Sequence, residues 1–236
     1  MPDDIILLSE RISTDPLVTM LTGANPDLVI HHADTLAKLR RVIDPSRRQR
    51  LISYHTRVIV PADILEAIGP AYNFHPGPPR RPGLFPGTWA LYEGDRQFGA
   101  TVHEMTATVD SGPIVGLGWF DIEPEMTILE LDSLTHELMR DLFRQLAPLL
   151  APLLAGADGR LEPVDVSWSG RKTTRRDYEA LLELPADVDA FEFHRRLRAV
   201  GIGPEHALHF YLHGRKFALD AGDMGDIVIG GEKVEI

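Results

Sequence analysis

The 236-residue chain has no cysteine, which excludes disulfides, thiolate metal sites and a cysteine nucleophile. Basic residues are in the minority: 24 Lys and Arg face 35 Asp and Glu, a formal charge of −11, and no long basic run concentrates them. Binding to nucleic acid, which sets clustered Lys and Arg against phosphate, is therefore disfavoured. No apolar stretch approaches membrane-spanning length, and the start Met1-Pro2-Asp3-Asp4 is acidic where a secretory signal would be basic. A Gly-x-Ser-x-Gly elbow is missing, and Gly116-Leu117-Gly118 has no third glycine opening a helix behind it. These gaps argue against a serine hydrolase and a nicotinamide-dependent dehydrogenase. What is present is ordinary globular usage, 44% hydrophobic and 25% charged. That suffices for one large domain with at most a small appendage, and a cytoplasmic protein is the expectation.

Ile5-Ile6-Leu7-Leu8, Asp27-Leu28-Val29-Ile30 and Leu51-Ile52-Ser53-Tyr54 are short apolar runs separated by helical stretches around Pro16 to Leu21 and over Ala33 to Val42. Such alternation predicts parallel strands joined by crossover helices. Pro61 to Gly69 predicts a short helix, opened by proline and closed by glycine. Between Pro70 and Gly87, six prolines and three glycines surround Asn73-Phe74-His75. No regular element is expected there, and the stretch reads as a shaped loop of the kind that carries sites. Thr88 to Tyr92 predicts a helix, Gly99 to Met105 a strand, and Thr108 to Val115 a turn into another strand. Leu131, Leu134, Leu138, Leu142 and Leu146 recur at helical spacing in a core-facing helix over Thr127 to Leu154, its end bent or broken by Pro148 and Pro152. Beyond a boundary at Gly156 to Gly159, helices are predicted around Tyr178 to Leu184 and Ala190 to Val200, then a hairpin pairing His209 to Leu212 with Lys216 to Leu219. The expected class is α/β: a core over residues 1–157 with a mostly parallel sheet, and a small α+β tail over 158–236.

Asn73 and His75 in the proline-rich stretch, with Asp110 beside Gly112, form the best chemical constellation. An amide, an imidazole and a carboxylate serve an acyl transfer whose nucleophile comes from the substrate. The Asn73 amide and a protonated His75 would face the developing oxyanion, and Asp110 would relay the amine proton. A nearby carboxylate would also raise the histidine pKa and hold the ring. The same residues fit ordinary turn packing equally well, so spacing alone leaves both readings open.

Asn73-Phe74-His75-Pro76-Gly77-Pro78-Pro79-Arg80-Arg81-Pro82-Gly83, then Gly99-Ala100-Thr101-Val102-His103 and Val109-Asp110-Ser111-Gly112-Pro113-Ile114, together and in this order, resemble the folate-dependent formyltransferase family from about Leu51 to Leu150. The resemblance implies a Rossmann-like core and transfer of a formyl group from N10-formyltetrahydrofolate to a primary amine. It makes Asn73, His75 and Asp110 the catalytic triad and calls for no metal. It also implies that Arg57, Val58 and Ile59 lie along the pterin pocket and that the turn bearing Thr106 and Val109 closes it. Pro76, Gly77, Pro78 and Gly83 would shape the substrate loop.

Departures from the family pattern narrow the acceptor. Leu8-Ser9-Glu10-Arg11 stands where glycinamide ribonucleotide transformylase has a glycine-rich phosphate loop, and the acidic residue disfavours a purine-pathway role. The segment before Leu51 is short for the family, implying a trimmed strand or helix. The tail after Gly159 is short for the barrel of a transfer RNA formyltransferase. His75-Pro76-Gly77-Pro78-Pro79 and the tail from Gly170 to Tyr178 are more similar to sugar N-formyltransferases. That likeness implies a nucleotide-linked amino sugar as acceptor and a homodimer aided by the tail. Arg171, Lys172, Arg175 and Arg176 would meet a diphosphate or, more simply, form a solvated or interface cluster. Another small amine, or a silent module holding folate or a sugar nucleotide, are the alternatives; a formyl-folate hydrolase would call for an additional amino-terminal domain. His206, His209 and His213 suggest a metal only if helical, and the strand-turn pattern around Gly214 argues against convergence. His31-His32 and His103 read as packed histidines, His103 with a supporting role open to it.

Overall fold

Every residue of β1 (Asp4–Ser9) is buried, as a strand covered by helices on both faces must be. The structure, a computed structural model, describes residues 4–152, 159–201, 207–219, 227–229 and 232–234. Strands β2 (Val29–Ala33) and β3 (Gln49–Tyr54) flank β1 in parallel, and β4 (Ala71–His75) lies parallel to β3. Strands β5 (Gln97–Glu104) and β6 (Ile114–Asp121) add in antiparallel sense, giving the order β2-β1-β3-β4-β5-β6. Helices α1 (Arg11–Ala24), α2 (Leu36–Val42) and α3 (Ala62–Ala67) make the crossovers; α4 (Pro86–Glu93) precedes β5 and α5 (Ile128–Leu150) follows β6. The short first segment is met by a seven-residue α2, with β1, α1, β2 and α2 all formed.

Strand alternation divides the core in two. Ile5, Leu7, Ile52, Tyr54, Tyr72 and Phe74 face α1 and α5, meeting Leu17, Leu21, Met139 and Phe143. Ile6, Leu8, Leu51 and Ala71 face the other way, against Leu39 of α2 and Ile64 of α3. Helix α5 opens on a capping box between Thr127 and Glu130. At its far end Arg50, in β3 and only 1% exposed, donates to the carbonyls of Leu149 (3.2 Å), Leu150, Pro152 (3.1 Å) and Gly159. The guanidinium thereby answers the helix's orphan carbonyls and the negative end of its dipole.

Three expectations change. Asn73-Phe74-His75 is not loop but the second half of β4: the prolines at 70 and 76 bracket residues 71–75 and leave their N–H groups free to pair. Ala33 ends β2 instead of opening a helix. Helix α5 carries Pro148 within its last turn and stops at Leu150, and its buried stripe runs through Leu131, Thr135, Met139, Phe143 and Ala147. Leu134 lies at the rim of that stripe and is 38% exposed.

In the tail, α6 (Arg175–Leu182) and α7 (Ala190–Val200) are capped by Thr174 and Asp189. Tyr178, Leu181, Phe193 and Val200 close on Phe85, Trp89 and Tyr92 in and before α4, so the tail helices share an apolar cluster with the sheet-bearing half. The hairpin pairs β7 (His209–Leu212) with β8 (Arg215–Ala218), and β9 (Ile227–Ile229) pairs with β10 (Glu232–Val234). The division expected at 157/158 falls outside the described residues, as does His206. Among the described residues no helix is long and apolar enough to cross a membrane.

Candidate active site

With Tyr72 and Phe74 turned into the α5-side core, alternation along β4 sends Asn73 and His75 to the opposite face. The β5 register sets His103 opposite Asn73 and Thr101 opposite His75, so all four share that face. A bulge between Val102 and His103 in the pairing with β6 bends β5 at this point. Asp110 arrives from the turn between β5 and β6 at φ 46°, a left-handed conformation that costs a non-glycine residue about 1 kcal/mol or more and is concentrated at functional sites. The turn is braced by the Ser111 hydroxyl donating to the Thr108 carbonyl (2.7 Å) and the Thr106 hydroxyl donating to the same oxygen (2.9 Å). Only glycine fits at 112, where a Cβ would lie 1.9 Å from the Glu104 carbonyl oxygen.

The three expected residues converge, and His103 joins them. Ser53 donates to Asn73 Oδ1 (2.8 Å), which aims the Asn73 amide nitrogen at His103 Nε2 (3.2 Å). His103 commits its Nδ1–H to the Glu104 carbonyl (2.9 Å). Its Nε2 is thus the exchangeable position: neutral, it accepts from Asn73; protonated, it points to Asp110 Oδ1 at 3.4 Å. Asp110 Oδ2 accepts from the Gly83 N–H (2.8 Å) and lies 3.6 Å from His75 Nδ1. The His75 Nε2–H donates to the Arg81 carbonyl (3.0 Å).

Electrostatics separates the two acid–base partners. Burial opposes the Asp110 charge, but the His103 imidazole, His75 and the Gly83 N–H outweigh it and bring its pKa down to about 2. Burial pushes the His75 pKa down despite the opposing pull of Asp110 and the Arg81 carbonyl. The expectation of a protonated His75 meets an opposing cause: the carboxylate favours the cation, but a ring only 4% exposed loses more to desolvation, which holds its pKa below the ordinary 6.5.

The loop after β4 acts as a mould. Gly77 and Pro78 are buried and Pro76 is half-buried, and the Thr101 hydroxyl donates to the Gly77 carbonyl (2.7 Å). Gly83, at φ 97°, bridges to Thr173 while giving its N–H to Asp110. A Cβ on Gly77 would stand 2.7 Å from His75 Nε2 and equally close to Pro86. Gly77→Ala is expected to displace the imidazole and lower turnover by roughly tenfold or more; steady-state rates beside a thermal melt check this.

Sequence reasoning missed the strap formed by residues 160–174, which crosses this site from the tail. Its N–H groups at Leu161, Val164, Ser169 and Thr173 donate to the Tyr72 hydroxyl (2.7 Å) and to the carbonyls of Ile114 (2.8 Å), Pro79 (3.0 Å) and Pro82 (3.3 Å). Arg171 pairs with Glu93 (3.0 Å) and Lys172 donates to the Val109 carbonyl, so half of the basic cluster ties the strap down. Arg175 lies over the Phe85 ring. The strap forms no regular helix or strand; its sequence signal is the short alternation Val164, Val166, Trp168 ahead of Gly170.

Arg57, Ile59, Thr106 and Val109 are exposed and Val58 is half-buried. Val58 and Met105 pack against the same apolar cluster, which brings the two segments together. A cavity of about 350 Å³ lies between α3 and the start of the 105–113 turn, lined by Ala62, Leu65, Met105 and Ala107 among others. Among the described residues no group of three or more His, Asp or Glu could hold a metal. His31 and His32 are engaged by Asp4 (3.1 Å) and the Ser9 carbonyl (2.9 Å), while His209 opens β7 and His213 sits in the hairpin turn.

The formyl transferase family model matches residues 50–146. The fold is similar to that of a sugar N-formyltransferase from Shewanella sp (18% identity over 93% of this chain and 97% of that one, TM-score 0.75). It is also similar to a 4-N formyltransferase from Francisella tularensis (17%, 93% and 96%, TM-score 0.72). A third likeness is to an N-formyltransferase from Helicobacter canadensis in complex with folinic acid and dTDP-3-aminofucose (17%, 91% and 85%, TM-score 0.63). At these identities the structural likeness is one of fold. The stretch matched by the formyl transferase family model, residues 50–146, is the one that holds Asn73, His75, His103 and Asp110.

Proposed function

We propose that the protein transfers the formyl group of N10-formyltetrahydrofolate to the primary amine of a nucleotide-linked amino sugar. The observation that carries this reading is the convergence of Asn73, His75, His103 and Asp110 on one face of the sheet, inside the formyl transferase match. The Helicobacter canadensis enzyme was crystallised with a folate and a nucleotide-linked amino sugar, which supports both substrate classes. Arg57, Val58, Ile59, Thr106 and Val109 hold the pterin; the nearby 350 Å³ cavity is within the range of small-molecule sites. The exposed Phe210, Leu212 and Phe217 of the hairpin support a homodimer, and the reading sets the reaction in the cytoplasm.

In the reaction the amine attacks the formyl carbon, forming a C–N bond as the carbonyl π pair moves onto oxygen. The Asn73 amide and the His75 N–H stabilise that oxygen, His75 by giving up the Arg81 carbonyl for it. The amine nitrogen, now positive, passes a proton toward Asp110. A carboxylate with a pKa of about 2 relays a proton rather than keeping it, and His103 Nε2, 3.4 Å away, is the basic position behind it. The same proton is then returned through Asp110 to the folate nitrogen; as the oxyanion pair re-forms the carbonyl, the bond from that nitrogen to the formyl carbon breaks, releasing the N-formylated amino sugar and tetrahydrofolate.

The test is tetrahydrofolate release with N10-formyltetrahydrofolate and a panel of nucleotide-linked amino sugars. Turnover with one amine and none with its N-acetylated form is the expected result. Folate binding with no turnover on any sugar would move the acceptor to another amine or make the protein a silent module. Failure to bind folate would overturn the reading.

A further inference from the structure

Trp168 lies outside the family match, on the strap, and its indole reaches three parts of the site at once. Its ring centroid is 5.7 Å from that of His75, with planes at 73°, and 5.1 Å from that of His103, with planes at 90°. Both are edge-to-face contacts, the geometry aromatic rings prefer. The indole N–H donates to the Gly112 carbonyl (2.9 Å), two residues beyond Asp110 in the same turn. The strap is anchored immediately after it, where the Ser169 N–H meets the Pro79 carbonyl and the Ser169 hydroxyl donates to the Arg80 carbonyl (3.1 Å). The indole is therefore held from its own backbone and does not depend on the groups it touches.

We propose that Trp168 is a positioning residue: it fixes the orientation of the His75 and His103 rings and holds the Asp110 turn against them, sealing the proton-handling groups from water. This deepens the formyl-transfer reading and rests on it. The geometry separates this role from that of an ordinary core residue. The two aromatic neighbours of the indole among the described residues are imidazoles of the site, and its N–H goes to the turn that bears Asp110. The titratable groups facing His75 are Asp110 and His103, and those facing His103 are Asp110 and His75. Burial holds the His75 pKa down, so admitting water where the indole stood raises it.

The experiment is Trp168→Ala, followed by NMR titration of the histidine ring signals, with formyl-transfer kinetics in parallel. The His75 midpoint is expected to move upward, and kcat to fall by about tenfold or more while KM for each substrate changes by less than about threefold. Histidine titrations unchanged from those of the unsubstituted protein would overturn the proposal, as would a loss carried by KM alone. Should Trp168→Ala not fold, Trp168→Leu fills the space without an aromatic face or an N–H and is read in the same way. If the unsubstituted protein transfers no formyl group, the functional reading falls, while the titration still decides what Trp168 does to the imidazoles.

Discussion

Asp110→Asn is expected to leave the protein folded and to lower formyl transfer by about two orders of magnitude or more, the usual size of an acid–base contribution. The substitution keeps the shape of the side chain and an oxygen for the Gly83 N–H, but removes the negative charge that lies 3.6 Å from His75 and 3.4 Å from His103. The proton leaving the amine then has no anionic stop on its way to His103. Near-normal turnover in this variant would remove the carboxylate from the mechanism. The variant should also alter acid unfolding. Because the Asp110 pKa falls from 3.8 to about 2 on folding, its contribution is fully present above pH 4 and is lost as the pH drops through 2. The shift corresponds to about 2 kcal/mol. His75 adds to acid sensitivity at higher pH: its folded pKa lies below the ordinary 6.5, so the unfolded chain takes up the proton first and stability declines as the pH falls below 6.5. Denaturant midpoints followed from pH 7 to 2 should therefore show the lower step vanish in Asp110→Asn while the upper one remains.

Arg50→Ala is expected to be the most destabilising single substitution considered, costing about 3–5 kcal/mol, because several buried or part-buried carbonyls lose a charged donor at once. For a chain of this size that is a fall of roughly 10 °C or more in Tm. The loss would come from the carbonyls of Leu149, Leu150, Pro152 and Gly159, left dry without their donor at the negative end of α5. Arg50→Lys restores the charge but not the planar fork that serves several carbonyls together, and should recover only part of the Tm. Thermal melts of the two variants decide this; a Tm within about 2 °C of the unsubstituted protein in Arg50→Ala would show those carbonyls to be served by water instead.

Much of the fold was legible because burial on both faces writes itself as continuous apolar runs. Ile5 to Leu8 and Leu51 to Tyr54 could be little else, and the leucines recurring from Leu131 to Leu146 announced α5. Strand β4 was hidden by its neighbours. The prolines around it dominated the composition, although Tyr72 and Phe74 alternating with Asn73 and His75 already carried a strand's period. Of the site, Asn73, His75 and Asp110 were found through the motif, and the structure brings them together. The protonation state of His75 could not be read, since it depends on desolvation contributed by segments far away in the chain. Arg50 was equally silent: one arginine in an apolar strand has no local signature when its partners lie a hundred positions further on. The strap was invisible for a related reason. Its bonds run from its own backbone to distant carbonyls, and the alternation Val164, Val166, Trp168 is too short to single it out.

Because the strap comes late in the chain, synthesis imposes an order on the site. Asn73, His75, His103 and Asp110 leave the ribosome well before Trp168 and Thr173, and the six strands of the sheet are complete at Asp121. A nascent protein can thus pair its sheet while the polar face still stands open to water, with Gly83 lacking its bridge to Thr173 and the imidazoles uncovered. Catalytic competence should follow the emergence of residues 160–174 rather than completion of the sheet, so that an unfinished chain carries the reacting groups without yet being an enzyme.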